Sequence, residues 1–286
     1  MRKLLKAFGY KLFRDLTFKI TLIIGAGVAL MMSLLFLLIE KTGQSGVPFS
    51  VCTGQSLLAI AVNPAEGFGY SVPINLCIFI VLEFTSGTIR NKIIAGNSKF
   101  KIYTSLFISG LVFALALMAM YIAVCFGFGC AIGGFDPNGQ VFGMTAFGTM
   151  YGHFILKLLI ITLLSYVTIT SISVCVATVF RNVGPCIPIT IVYIMVFGMF
   201  PMIFASIPGM EDFINVLSYI NPFHSLVCFA KEIDMSSFNP ADENAVVLYN
   251  ITIANDVFIR GIIVNLVYSL GFFALGAHLF VKRDVK

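Results

Sequence analysis

Residues 83–101 read EFTSGTIRNKIIAGNSKFK, from Glu83 to Lys101. Four cations, Arg90, Lys92, Lys99 and Lys101, gather within a dozen residues, and long apolar runs flank them on both sides. Thr85 or Ser86 is placed to cap a short helix, Ile89, Ile93 and Ile94 supply an apolar face, and Gly96-Asn97 supplies a stop. A short amphipathic helix between two membrane spans, basic on its wet face, is what a cytoplasmic docking element requires. The same stretch also reads as a positive-inside loop lying on lipid headgroups.

The flanking runs decide the class. The chain has 286 residues, 59% of them hydrophobic and 11% charged, with a mean hydropathy of +0.99. A soluble domain carries about 25% charged residues. The apolar runs are continuous rather than alternating, so the expected fold is an all-α integral membrane protein and not a β-barrel. The net charge of +5 does not point to nucleic acid, because the cations sit where cytoplasmic headgroups lie. Cys52, Cys77, Cys125, Cys130, Cys175, Cys186 and Cys228 form no CxxC pair and no metal spacing. Most fall in apolar runs, where cysteine behaves as a small hydrophobe. Cys52, Cys130 and Cys228 fall near the expected outer face, where one disulfide stays open as a reading.

Taken in order, residues 1–19 carry six cations against Asp15, with Leu4, Leu5, Phe8, Leu12, Phe13 and Leu16 at helical spacing. They read as an amphipathic helix on the inner membrane surface. The first span has no small-residue cleavage site after it, so it reads as a retained helix and not a signal peptide. Six transmembrane helices are expected, at 20–39, 67–85, 102–129, 159–179, 185–207 and 261–281. Residues 83–101 form the coupling segment between spans two and three. Residues 56–62 read as a short helix dipping into the outer interface. Gly129 and Gly133 form a GxxxG at a span end, read as a turn rather than a dimer motif. Residues 141–158 are ambiguous, and Lys157 reads as snorkelling at the outer interface. Residues 208–229, broken by Pro222, are too polar and too short to cross and read as re-entrant or interfacial outer helices, followed by an acidic outer loop. Placing both termini in the cytoplasm puts fourteen of eighteen cations inside, with Lys41, Lys157, Lys231 and Arg260 outside.

No catalytic constellation is present. His153, His224 and His278 are scattered, and there is no HExxH, no GxSxG and no P-loop GxxxxGK[ST]. The chain therefore has no ATP site of that kind. Charge within the spans is nearly nil, which argues against a proton relay or an ion-coupled carrier. Energised transport would draw its energy from a partner. Asn250-Ile251-Thr252 matches a glycosylation sequon, a short and unspecific pattern.

The stretch from Glu83 through Gly87-Thr88-Ile-Arg90, continued to Tyr103, resembles the E-x-x-x-G-T-x-[RK] segment of ABC-2 type permeases, the membrane subunits of ATP-binding-cassette exporters. The resemblance extends to the basic N-terminus, the six spans and Asn221-Pro222-Phe223 before the last span. It implies one transmembrane domain over residues 1–286, with no cofactor of its own and with ATP and Mg²⁺ bound by a separate ATPase subunit. It implies a second permease subunit, membrane lipids as neighbours, no nucleic-acid partner, and a place in the bacterial cytoplasmic membrane. Glu83, Gly87, Thr88, Arg90, Asn91, Lys92 and Lys99 would belong to the ATPase-docking segment, with Glu83 paired to Arg90. Phe200, Pro201, Phe213, Tyr219, Pro222 and Phe223 would line or gate the exit. A hydrophobic or amphipathic cargo is implied, most simply a small peptide, as in bacteriocin export or self-immunity. Three readings compete: an ATP-independent six-span channel or carrier, which needs polar residues within spans or an inverted repeat; a membrane-embedded enzyme, which needs a paired acid or nucleophile at bilayer depth; and a non-transporting sensor or accessory protein.

Overall fold

The computed structural model describes residues 7–10, 12, 14, 16–42, 52–62, 71–136, 140–141, 144–145, 148–196, 207, 209, 216, 221, 253 and 255–282. In chain order the described elements are α1 (Leu16–Thr42), α2 (Gly54–Val62), α3 (Ser71–Thr85), α4 (Thr88–Ile94), α5 (Lys99–Gly133), β1 (Gln140–Val141), β2 (Met144–Thr145), α6 (Gly148–Phe180), α7 (Val183–Ile194) and α8 (Asn255–Lys282). Residues 7–10, Leu12 and Arg14 are also helical. Phe200, Pro201, Phe213, Tyr219, Pro222 and Phe223 lie outside the described residues, as does Cys228.

Four of these helices are long and apolar enough to cross a membrane, and five are if the bent pair 72–85 and 88–94 counts as one crossing. The six expected spans are therefore met in part: α7 is described as twelve residues, too short to cross by itself. α5 and α6, at 35 and 33 residues, run about 50 Å at 1.5 Å per residue and overreach a hydrocarbon layer of about 30 Å. The ambiguous residues 148–158 are thus the first turns of α6, and 140–145 hold a two-residue antiparallel ladder pairing Gln140 with Thr145 and Val141 with Met144.

α6 is the central helix. In its most apolar window 67% of the residues are buried, against 17% in α1, which lines the periphery. α6 packs most extensively on α8 and also on α3, α5 and α7. Its buried face is small and hydroxylated, with Thr162, Ser165, Thr168, Thr170, Ser171, Ser173 and Thr178 all buried. Small side chains let helices approach closely, and hydroxyls return to backbone carbonyls of their own helix: Thr170 Oγ1 donates to Tyr166 O at 2.7 Å. Thr168 Oγ1 lies 3.1 Å from Leu164 O of its own helix and also reaches across, 2.9 Å from Asn265 Oδ1 on α8, while Asn265 Nδ2 donates to Gly261 O. Against α5, Gly276 of α8 leaves room for Tyr103, because a Cβ there would fall on the phenol hydroxyl.

α2 is seated in the bundle: eight of its nine residues are buried, against α5 and α6. The GxxxG of α5 is its seat. A Cβ at Gly129 would lie 2.9 Å from Gly54 Cα, and one at Gly133 would strike the Cys52 carbonyl. The Gly54 N–H donates to Gly134 O at 2.9 Å, and the Cys52 N–H to Glu40 Oε2 at 2.8 Å. The motif is neither a turn nor a dimer contact but an intramolecular close approach. Cys52 and Cys130 are both free thiols.

The contacts sort the helix termini into two ends. One end gathers Phe8, Glu83, Lys92, Arg181 and Val281. The opposite end gathers Glu40 with Cys52 and Gly54 with Gly134. It also joins Lys157 to the start of α8, where Lys157 Nζ donates to Ile253 O at 2.6 Å and to Asn255 Oδ1 at 2.9 Å. Lys157 is thus half-buried, with its ammonium held at the start of α8.

Candidate docking site at the basic end

The site is built from a bend. α3 ends at Thr85, and α4 leaves at 53° to it. The turn between them is made by Gly87, whose φ of 67° lies in the left-handed region that glycine tolerates. Gly87 is the N-cap of α4, in place of the expected Thr85 or Ser86; the Ser86 hydroxyl instead meets Thr88 Oγ1 at 2.6 Å, and Thr85 Oγ1 returns to Val81 O. The stop at Gly96-Asn97 holds, with Gly96 at φ 81°. The Gly96 N–H bonds Ile93 O and the Asn97 N–H bonds Lys92 O, the paired hydrogen bonds of a Schellman ending.

α4 has an inner and an outer side. Ile89 is buried and Ile93 half-buried, whereas Ile94 is 74% exposed, so the apolar face is narrower than the three isoleucines suggest. Lys92 turns inward. Its ammonium lies 3.1 Å from Glu83 Oε2, with the two side chains 14% and 2% exposed. This corrects the expected Glu83–Arg90 pair: Arg90 and Asn91 are exposed. The reason is the bend, because the i, i+7 register that would align residues 83 and 90 needs one straight helix. Lys92 also sits over the Phe8 ring, 3.1 Å from its centroid. Phe8 and Leu12 are buried, so the amphipathic N-terminus spends this part of its apolar face on the protein itself.

Two further contacts were not visible in the sequence. Lys99 opens α5, where a cation opposes the helix dipole, but its ammonium donates to Val281 O at 3.2 Å, in the last turn of α8, where a cation is favourable. Arg181 follows α6 with φ 53°, its N–H bonding Ala177 O and its guanidinium over the Phe84 ring at 5.8 Å. Phe84 in turn meets Phe280 edge-on at 6.1 Å. In sequence, Arg181 was a lone loop cation and Phe280 one apolar residue among many. Only their convergence on Glu83-Phe84 marks them.

The end so formed is strongly basic. Of the described acids, Glu83 alone lies here and it is paired, while Arg14, Lys19, Arg90 and Lys101 are exposed. Among the described residues no group of three or more His, Cys, Asp or Glu could hold a metal ion. The arrangement suits docking by charge and shape.

The sequence profile of the family described as "ABC-2 family transporter protein" matches residues 67–278, which include every element of this site except the N-terminal segment and the last turn of α8. The chain belongs to the ABC-2 transporter family. No curated protein and no solved structure gives a significant match. As a member of that family the chain is a membrane transport component, not itself catalytic, and a multi-pass membrane protein. ABC-2 permeases work with ATPase partners.

Proposed function

We propose that this ABC-2 permease is the membrane subunit of an ATP-driven exporter, with its ATPase docked on the basic end around α4. The observation that carries the reading is the convergence at the end of α3, where α4 and the N-terminal segment meet Glu83 through Lys92 and Phe8, and the ends of α6 and α8 meet Phe84 through Arg181 and Phe280. Displacement of α4 there would act directly on the N-terminal segment, on α3 and on α5, as a coupling element must. Glu83, Gly87, Thr88, Lys92 and Lys99 shape the platform, and Arg90 and Asn91 face the partner.

The contacts also support six crossings with both chain ends on the cytoplasmic side. Phe8 and Val281 lie at the basic end, so the number of crossings between them is even. α6 finishes at the basic end and α8 starts at the other, which supports a fifth crossing between them, begun by α7 against α3 and α6. The functional unit pairs this subunit with a second permease in the bacterial cytoplasmic membrane. ATP and Mg²⁺ belong to the ATPase.

The cargo is hydrophobic or amphipathic, and a small peptide fits best, exported as a bacteriocin or removed from the membrane as self-immunity. Support comes from the apolar spans and their lack of charge between Lys101 and Lys157, where only Asp136 occurs, beyond the end of α5. The test is to delete the gene and challenge cells with membrane-active peptides of the bacteriocin class. The reading expects sensitivity to rise several-fold, or peptide secretion to be lost. Unchanged sensitivity together with unchanged secretion across such peptides contradicts the peptide cargo.

A further inference from the structure

We infer that Cys77 and Cys186 are a redox modification site, at which peroxide joins the two thiols in a disulfide that staples α3 to α7. The inference goes beyond the exporter reading and stands whether or not that reading does.

The two thiols meet where three helices converge. α3, α6 and α7 pack on one another pairwise, and Cys77 and Cys186 are both fully buried between them. Each sulfur faces the same strip of α6: Cys77 Sγ donates to Ser173 O at 3.7 Å, and Cys186 Sγ to Val176 O at 3.9 Å. Residues three apart are neighbours on one helix face. The two cysteine side chains also lie within hydrogen-bonding reach of each other. A buried cysteine that only fills space behaves as a small hydrophobe and has no need of a second thiol opposite it. Cys125 is of that kind, its sulfur meeting Ala29 O on α1. Among the described residues no group of three or more His, Cys, Asp or Glu could hold a metal ion, so the pair lacks the ligands of a closed tetrahedral metal site. Oxidation is the chemistry that two facing thiols support.

One sulfur attacks a peroxide oxygen and the O–O bond breaks, giving a sulfenic acid and a water; the second sulfur then displaces the hydroxyl as another water. Two thiols and one peroxide thus become one disulfide and two waters. Hydrogen peroxide is small and uncharged, and its path is short. Asn182 and Gly184, at the start of α7, are exposed within about one turn of Cys186, so opening of that first turn suffices to admit it. The product holds α3, and with it the start of the 53° bend into α4, against α7.

The experiment uses the full wild-type chain in native membranes, treated with hydrogen peroxide until the half-buried Cys130 is oxidised. Remaining thiols are blocked with N-ethylmaleimide and the chain is cut with chymotrypsin. Cleavage after Tyr70, Phe79, Phe180 and Tyr193 puts the two cysteines on separate fragments. The expected result is a joined pair of fragments carrying Cys77 and Cys186, lost on treatment with dithiothreitol and absent from Cys77→Ser and Cys186→Ser. The joined pair is read in the wild-type chain, so the test survives a variant that fails to fold. Recovery of the two cysteines as separate maleimide adducts or separate sulfinic acids, or either joined to a different cysteine, overturns the inference.

Discussion

Of the described acids, Glu83 alone lies at the basic end, and it is buried. Glu83 is 2% exposed on its side chain and is charge-compensated by Lys92. Removing one partner of a buried pair leaves an uncompensated charge, which costs about 3–5 kcal/mol, whereas removing both is much milder. Lys92 also lies over Phe8, and such contacts contribute about 0.5–2 kcal/mol. Lys92→Met is therefore expected to lower the melting temperature in detergent sharply, and Glu83→Gln with Lys92→Met to recover most of the loss. Equal melting temperatures for the single and double variants contradict the pair. At the opposite end, burial, with a smaller contribution from the Glu40 carboxylate, pushes the Cys52 thiol up to about 11. The sign is that of a group kept protonated by the fold: its contribution to stability is complete below about 9, the usual thiol value in the unfolded chain, and is lost as pH rises through about 11. Cys52 should resist iodoacetamide in the folded protein at pH 8 and gain reactivity only as pH approaches 11. Rapid alkylation at pH 8, mapped to Cys52 by peptide analysis, contradicts this.

Among the elements, α2 and α4 show how far sequence reading reached. The position of α4, its stop at Gly96-Asn97 and its basic character were legible because glycine punctuation and charge are local signals. Its cap at Gly87 and the Glu83–Lys92 pairing were not, because both depend on a 53° bend that no local propensity reports. α2 was legible as a helix and not as a buried one, since burial depends on Gly129 and Gly133 arriving from another span. Gly133→Val places side-chain atoms on the Cys52 carbonyl. It is expected to cost about 1–3 kcal/mol and to make Cys52 alkylatable by displacing α2. Wild-type melting and unchanged protection of Cys52 in that variant argue against the close approach. Asn265 was missed for a related reason: a lone asparagine in an apolar run signals nothing until Thr168 faces it. Asn265→Leu should destabilise by roughly 0.6–2 kcal/mol, read by the same melt, and no loss at all sinks the clamp.

The whole molecule was read from its charges. The count that puts fourteen of eighteen cations inside agrees with a basic end that holds both the N-terminal segment and the last turn of α8. What sequence could not give was the convergence, since Phe8, Lys92, Arg181 and Val281 are brought together by tertiary packing alone. The proposed topology predicts that alkaline phosphatase fused after Lys286 is inactive and that the same enzyme inserted after Asp242 is active; the reverse pattern excludes it. The central claim is that an ATPase docks on the end built around α4. Its most direct measurement is lysine cross-linking of the tagged chain in its own host's membranes, followed by gentle purification and mass spectrometry. The account predicts a P-loop-bearing subunit cross-linked through Lys99 or Lys101. Recovery of no such subunit, or one cross-linked only through Lys41, Lys157 or Lys231, contradicts it.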